Sequence, residues 1–180
     1  AALLVTGAVY ADAAGSNRIF ALDSGTTTAT VTGAIGTTQA VESVIVDAAS
    51  VATFGAAIDT RDGGVSITAT TISLAADVTT IDQATAGTLT LTGAVTLTGN
   101  VRLDTAAATA DAAWLVTGAV NADAAGSNRI FALASGTTPA TVTGALGTTQ
   151  AVESVTVHAA SLATFGAPPA HPDRGVSLPA

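Results

Sequence analysis

The sequence contains no cysteine, no methionine and no lysine, and aromatic residues make up only 3% of its 180 residues. Without cysteine, neither a disulfide framework nor a thiolate metal site can form. The 13 acidic residues against five arginines give a net charge of −8, which argues against nucleic-acid binding because that binding needs a cationic surface. An acidic membrane surface would repel the chain as well. No run of 18 apolar residues is present, so we expect no membrane insertion.

Small residues dominate what is present, with 42 alanines, 32 threonines and 18 glycines. Valine, leucine, isoleucine and phenylalanine together make up about a quarter of the chain, enough for one sizeable or elongated core. Charged residues are only 10% of the sequence, far below the usual quarter of a soluble domain. The composition therefore predicts an ordered, repetitive architecture built from small side chains.

An internal duplication organises the chain. Residues 1–69 align without gaps with residues 112–180, at an offset of 111 positions and with 53 identities. The chain therefore divides into a first full unit, 1–111, in which residues 70–111 occur once, and a partial second unit, 112–180. Such self-similarity is the signature of a repeat protein.

The local apolar pattern has a period of two, as in Thr88-Leu89-Thr90-Leu91-Thr92. This alternation of apolar and β-branched polar residues predicts short strands. Glycine follows threonine at the ends of several such runs, which indicates corners or close backbone approach. These pairs are Thr6-Gly7, Thr32-Gly33, Thr92-Gly93, Thr98-Gly99, Thr117-Gly118 and Thr143-Gly144. The alanine-rich stretch 105–113 is the one segment whose propensity favours a helix.

Differences between the two copies predict which side chains face inward. Positions 45 and 47 change to Thr156 and His158, whereas Val44 and Val46 are unchanged, so the two valines should point into the core. Exchanges of one aliphatic residue for another predict interior positions. These pairs are Ile35 and Leu146, Val51 and Leu162, and Ile67 and Leu178.

Two all-β architectures fit these patterns. A parallel β-solenoid, or β-helix, of tandem repeats would stack strands with inward aliphatic and outward threonine residues. At roughly 18–22 residues per coil, one unit would supply about five or six coils. Tandem antiparallel β-sandwich domains are the alternative. The few aromatic residues favour the solenoid, because sandwich cores usually contain bulky rings.

The segments Gly87–Asp104 and Thr26–Thr38 alternate threonine with small aliphatic residues and glycine. In this texture the chain resembles the repeat regions of large bacterial surface proteins, namely the filamentous-haemagglutinin-like exoproteins and related β-strand-repeat adhesins. The resemblance extends over essentially the whole chain. It implies secretion to the cell surface, an elongated fibre, and a role in adhesion, in a biofilm matrix or in surface coating.

Catalytic residues are not expected. His158 and His171 replace Asp47 and Thr60 of the first copy, so neither imidazole belongs to the repeated unit. There is no Gly-x-Ser-x-Gly elbow to present a serine nucleophile. Asp59 and Asp62 lie in a turn-like Asp-Thr-Arg-Asp-Gly-Gly segment with Arg61, for which an ordinary turn is a simpler explanation than paired catalytic carboxylates.

Calcium is the one cofactor for which candidate ligands can be named, and these are Asp59 and Asp62. Asp-Gly turns can supply oxygen ligands, but neither a Gly-Gly-x-Gly-x-Asp nor an Asp-x-Asp-x-Asp-Gly loop is present. We therefore expect no resident cofactor and no bound metal.

The most polar element shared by both copies is a candidate for contacts between chains. It comprises Asp12, Asn17 and Arg18 in the first copy and Asp123, Asn128 and Arg129 in the second. An exposed loop with a local ion pair is the alternative interpretation.

From these observations we expect a non-enzymatic structural protein that forms an elongated extracellular fibre or matrix filament by head-to-tail self-assembly. Its main partner would be a second copy of the chain, joined end to end or by lateral packing of fibres, and a surface polysaccharide is another candidate. An adhesin stalk that presents a distant tip is the alternative. The Thr88/Thr90/Thr92 and Thr96/Thr98 sets raise ice binding as a lesser alternative. The proline-rich segment 167–172 is a candidate cap, because proline cannot donate to a strand ladder.

Overall fold

The computed structural model describes residues 1–48, 50–82, 85–158, 161–167 and 176–177. These residues form a parallel β-solenoid of about seven turns, and no helix occurs among them. The same ranges accordingly hold no helix long and apolar enough to cross a membrane. The strands are β1 (Leu3–Val5), β2 (Ile19–Gly25), β3 (Ala29–Val31), β4 (Val41–Ala48), β5 (Val51–Phe54), β6 (Ile58–Leu74), β7 (Val78–Asp82), β8 (Thr85–Ala86), β9 (Leu89–Leu97), β10 (Val101–Asp104), β11 (Trp114–Val116), β12 (Val120–Ala122), β13 (Ile130–Ala134), β14 (Pro139–Val142), β15 (Ser154–His158), β16 (Leu162–Phe165) and β17 (Val176–Ser177).

Each coil passes through three faces, and strands of successive coils pair in parallel within each face. On the first face, which begins at β1, the stacked inward residues are Leu3, Ala29, Ala52, Ile72, Val95, Val120 and Leu146. On the second face they are Val9, Ile35, Ile58, Val78, Leu103, Leu133 and Val157. On the third face, which begins at β2, they are Phe20, Val44, Val65, Leu89, Trp114, Ala140 and Ala163.

The period-two alternation in the sequence determines which residues belong to these stacks. In β9, Leu89, Leu91 and Leu97 are fully buried, whereas Thr90 and Thr96 lie on the outside. Such alternation follows from the pleat, which sends successive side chains to opposite sides of a strand. Val44 and Val46 are buried as predicted. The parallel pairing excludes the antiparallel sandwich.

Glycine forms the corners, as the Thr-Gly pairs predicted. A Cβ atom on Gly33 would lie 2.2 Å from the carbonyl oxygen of Gly7, and one on Gly144 would lie 2.2 Å from that of Gly118. Gly118 is as tightly placed, 2.1 Å from the carbonyl oxygen of Gly93. Since real Cβ atoms do not approach that closely, successive corners can stack only where the side chain is absent.

The coils are longer than the sequence predicted. Partners along the first face are separated by 26, 23, 20, 23, 25 and 26 residues, and all but one of these spacings exceed the predicted 18–22. Loops between the faces account for the excess, such as residues 105–113 between β10 and β11 and residues 123–129 between β12 and β13. The segment 105–113 was the predicted helix, and the prediction was wrong because bonds to other coils hold it in a loop, with a bridge from Ala110 to Thr85 and a bond from the Thr137 amide to Asp111.

The copy comparison also misplaced one pair. Leu162 is 59% exposed and Val51 is only half-buried, so the aliphatic exchange at this position is not an interior one. Val51 and Leu162 instead begin strands β5 and β16 with outward side chains, as their burial patterns show. Ile35 and Leu146 are buried as predicted, and Leu178 lies outside the described residues.

The duplicated unit does not contain a whole number of turns. Leu3 lies on the first face of the first coil, and its counterpart Trp114 lies on the third face of the fifth coil. The 111-residue unit therefore advances four and two-thirds turns, or about 24 residues per turn. Val9 and Val120 differ by the same rotation, from the second face to the first. Equivalent residues of the two copies thus point a third of a turn apart.

Candidate functional site

The shared polar loop lies, in the first copy, on the corner between the second and third faces. Arg18 donates from Nε and Nη2 to the two carboxylate oxygens of Asp12, both at 2.9 Å. This bidentate bond, with help from Ser16, holds the pKa of the Asp12 carboxyl far below its usual value. Both side chains are 63% exposed, so solvent screens the pair and its effect on stability is small.

The second copy repeats this ion pair in a different place. Arg129 bonds both carboxylate oxygens of Asp123 at 2.9 Å and lowers that carboxyl's pKa. The loop here lies between the first and second faces, and Asn100 of the preceding coil accepts a bond from the Ile130 amide at 3.0 Å. The two loops therefore project from different corners of the solenoid.

The asparagines of these loops stay on the surface. Asn17 and Asn128 are both exposed, and Asn128 has a φ of 51°, a left-handed conformation that asparagine tolerates better than most residues. Their placement suits a turn within the loop. Contacts between chains through Asp12, Asn17, Arg18, Asp123, Asn128 and Arg129 stay a prediction.

The calcium candidates occupy different surroundings. Asp59 lies half-buried on the outside of the second face, where burial raises its carboxyl pKa, a bond from Thr79 opposes the rise and the nearby charge of Asp77 adds to it. Asp62 is exposed within β6. The turn predicted for residues 59–64 was wrong, because this segment is part of the strand and pairs with β4 and β7. Nη1 of Arg61, which lies between the two aspartates in sequence, is 3.6 Å from Oε2 of Glu42. No cluster of three or more histidine or acidic side chains suited to a metal occurs in the described ranges.

Shallow depressions on the outer surface of the described residues include two that are lined by hydroxyl groups. An open groove of about 520 Å³ follows the corner between the third and first faces, lined by Asp47, Thr68, Thr70, Thr92 and Thr117 with neighbouring glycine and alanine. A smaller depression of about 250 Å³ lies on the third face beside Ser43, Ile45 and Ser66. Hydroxyl groups with one carboxylate can hydrogen-bond a polar ligand, but they offer no nucleophile paired with a base.

The threonine sets divide between two faces, because β9 bends in its middle. Thr88, Thr90 and Thr92 lie on the third face with Ser66, whereas Thr96 lies on the first. The first face does hold one stacked rank of hydroxyl residues, and its members are Thr30, Thr53, Ser73 and Thr96. A continuous sheet of paired threonines is therefore not formed by the predicted sets.

His158 is exposed at the end of β15, beside Ala134 of the preceding coil. His171 and the proline-rich segment beyond residue 167 lie outside the described residues.

Sequence reasoning missed the two ends of the solenoid. The core residues that are only partly buried are Val5, Val9, Phe20, Leu22, Ala163 and Phe165, all of them in the first coil or in β16. Their counterparts in the other copy are buried, as shown by Phe131 and Leu133 at 0% exposure and Phe54 at 2%. The sequence alone holds no signal for these ends, because identical residues such as Phe20 and Phe131 differ only in the burial that the structure gives them.

No protein-family model, no curated protein sequence and no solved structure matches this chain.

Proposed function

We propose that the protein is a non-enzymatic structural element, a straight rod that serves in an extracellular fibre or matrix at a cell surface. The observation that supports this most is the continuity of the three stacks, whose inward positions are all apolar through the described coils. Each coil contacts only its neighbours, so length is added without a change of fold.

The dimensions agree with a rod. About seven turns at roughly 4.8 Å each give a stack about 34 Å tall. Nearly every core residue is small or aliphatic, which keeps the cross-section narrow. The net charge of −8 makes neighbouring rods repel one another at neutral pH, which favours solubility over collapse into aggregates.

The surface location rests on the resemblance to bacterial surface repeats and on the threonine-rich exterior. A polysaccharide of that surface is the second proposed partner, and the groove lined by Asp47, Thr68 and Thr92 offers hydroxyl and carboxylate groups that sugar hydroxyls can bond. No resident cofactor and no catalysis are part of the proposal.

Electron cryomicroscopy of the purified chain tests the proposal. We expect filaments whose Fourier transform has a meridional reflection at about 4.8 Å, from strands stacked along the axis. Short separate rods with the same reflection would instead support the adhesin stalk. Compact particles without an axial repeat would overturn both.

A second candidate function has one observation in its favour. The rank of Thr30, Thr53, Ser73 and Thr96 has the regular spacing of stacked coils, a feature that an ice-binding surface requires. The neighbouring outward positions do not form a second complete rank, since Gly55 and Ala75 interrupt it between Thr32 and Thr98. Thermal hysteresis of the purified chain, with Thr53→Leu as the disabling variant, separates this function from the fibre.

A further inference from the structure

The two ends of the solenoid expose apolar surface that the rest of the molecule covers. Val5, Val9, Phe20 and Leu22 in the first coil, with Ala163 and Phe165 in β16, are the partly buried members of the core. The large apolar side chains that are exposed on the outside of the solenoid also lie mostly in its end coils. Leu4, Tyr10 and Ile19 lie in the first coil and Leu162 lies in β16, with Ile45 as the exception.

The duplication identifies what covers such a surface. Trp114, the counterpart of Leu3, stacks on Leu89 of the preceding coil. Phe131, the counterpart of Phe20, stacks on Val101, and both aromatic residues are buried. At the other end, Phe54, the counterpart of Phe165, stacks on Leu74. In each case the cover is a parallel strand with inward aliphatic side chains.

From this comparison we infer that a second copy of the chain stacks end to end, with its β1 on β16 and its β2 on β17 of the first copy. The inference rests on the proposed fibre function and names the joining surface. The order of the faces dictates the pairing. Within the chain, β11, the counterpart of β1, belongs to the same stack as β16, and β13, the counterpart of β2, belongs to the same stack as β17.

This junction repeats a relation already present within the chain. Placing β1 on the third face turns the incoming copy by a third of a turn, and the second sequence copy has the same rotation, with Trp114 on the third face. Inward residues then meet inward residues, Leu3 on Ala163 and Val5 on Phe165. A larger side chain is stacked next to alanine there, as Trp114 is stacked next to Ala140 within the rod.

Gly7 supplies an independent probe of the junction. The Cβ atoms of Gly33 and Gly118 would collide with the backbone of the coil before them, whereas a Cβ on Gly7 meets no atom within 4 Å. The free space at Gly7 is therefore the place that a preceding coil occupies at its counterpart. Gly7→Ala should leave the isolated rod unchanged and obstruct stacking.

Disulfide trapping tests the pairing, and the absence of cysteine from the sequence makes it clean. In the full chain carrying Leu4→Cys and Thr164→Cys, the two outward positions face each other only across the junction, since within one rod they are six coils, or about 30 Å, apart. We expect a ladder of disulfide-linked oligomers on oxidation, joined residue 4 to residue 164 by peptide mapping. The control, Thr30→Cys with Thr164→Cys, lies a coil too far for a disulfide and should give about tenfold less product.

Sedimentation velocity of the unoxidised chain, Gly7→Ala and Thr53→Ala provides the second measurement. We expect the parent and Thr53→Ala, whose change is outward in mid-rod, to assemble as concentration rises and Gly7→Ala to remain monomeric with unchanged circular dichroism. Oligomers linked 4 to 4 or 164 to 164, or equal assembly of Gly7→Ala, would overturn the junction while leaving the fibre proposal standing. Particles that are not rods would overturn the proposed function itself.

Discussion

Glycines that share one sequence context differ in what they tolerate. Gly7 and Gly118 both lie in Leu-Val-Thr-Gly-Ala-Val, yet only Gly118 has a coil before it. We expect Gly118→Ala to destabilise the fold by about 1–3 kcal/mol, since the backbone must move to admit the methyl group, and Gly7→Ala to change little. Urea unfolding followed by Trp114 fluorescence measures both variants, and equal losses would contradict this placement.

Buried hydroxyl groups separate into satisfied and unsatisfied ones. Thr105 is fully buried and donates to the carbonyl of Ala112, whereas the buried hydroxyl of Thr60 has no partner. We expect Thr105→Val to cost about 1–3 kcal/mol and Thr60→Val to stabilise the fold by about 1 kcal/mol, because a buried group without a bond carries its desolvation cost uncompensated. The midpoints of urea unfolding show whether each variant is more or less stable than the parent. A lower midpoint for Thr60→Val would refute the expected gain of stability.

Asp59 should make the rod slightly less stable as its carboxyl ionises. Burial raises the pKa of this group, so the folded chain binds the proton more tightly than the unfolded chain does. Its unfavourable contribution is then absent below the ordinary aspartate pKa and grows as pH rises through the raised value. We expect Asp59→Asn to stabilise the protein at pH 7 and to have little effect at pH 3. Thermal melts at the two pH values, with exposed Asp62→Asn as control, provide the check.

Among the elements, the loop that joins β10 to β11 is bound to the next coil by the carboxylate of Asp111. Asp111 accepts bonds from the amides of Ala107 and Thr137, at 2.7 and 2.6 Å, and from the Thr137 hydroxyl at 2.7 Å. Those bonds lower its pKa, those from Thr137 most. A lowered pKa stabilises the ionised loop above the ordinary aspartate pKa, and the contribution disappears as pH falls through the lowered value.

We therefore expect Asp111→Ala to raise hydrogen exchange at the amides of Ala107 and Thr137 at neutral pH, without unfolding the strands on either side. Acidification should produce the same local change in the parent chain. The ion-paired Asp12 provides the control, because Asp12→Ala lies in another loop and should leave those two amides protected. Unchanged exchange in Asp111→Ala would show that the loop is held by other contacts.

Strands proved easier to predict from the sequence than coils. Val44 and Val46, and the glycine corners at Gly33 and Gly118, follow from period-two alternation and from the close approach that glycine permits, both of which are local effects. Coil length depends on loops such as 105–113, whose shape is set by contacts with other coils, for example Asp111 with Thr137. Leu162 was misassigned for a similar reason, since aliphatic character alone does not fix the side of a strand.

At the scale of the whole molecule, stability should vary along the axis. Each coil gains its burial from the coils before and after it, and the first coil has a neighbour on one side only, with Phe20 half-buried where Phe131 is fully covered. We expect amide exchange to be fastest in β1 and β2 and slowest in β6 and β9, because opening begins where the fewest contacts are lost. Uniform exchange along the rod, measured by mass spectrometry at a concentration where the chain is monomeric, would contradict this gradient.

The candidate interaction sites could be predicted from the sequence only in part. The polar loops could be identified from the sequence because both copies keep Asp12 and Arg18 or their counterparts. The direction in which each loop projects could not be predicted. It depends on the number of turns that one 111-residue unit makes, and that number depends on the lengths of all the loops in the unit. The exposed ends became visible only when each residue could be compared with its counterpart in space.

The fractional advance of the unit has a genetic consequence. Unequal crossing-over between the two copies would add or remove 111 residues at a time, and the product would still meet the stacking requirement, because Leu89 already supports the first strand of a following unit at Trp114. Gene length could thus drift in whole units while every coil kept a suitable neighbour. Each added unit would turn its surface features by a further third of a circle, so that three units would distribute one loop sequence evenly around the axis.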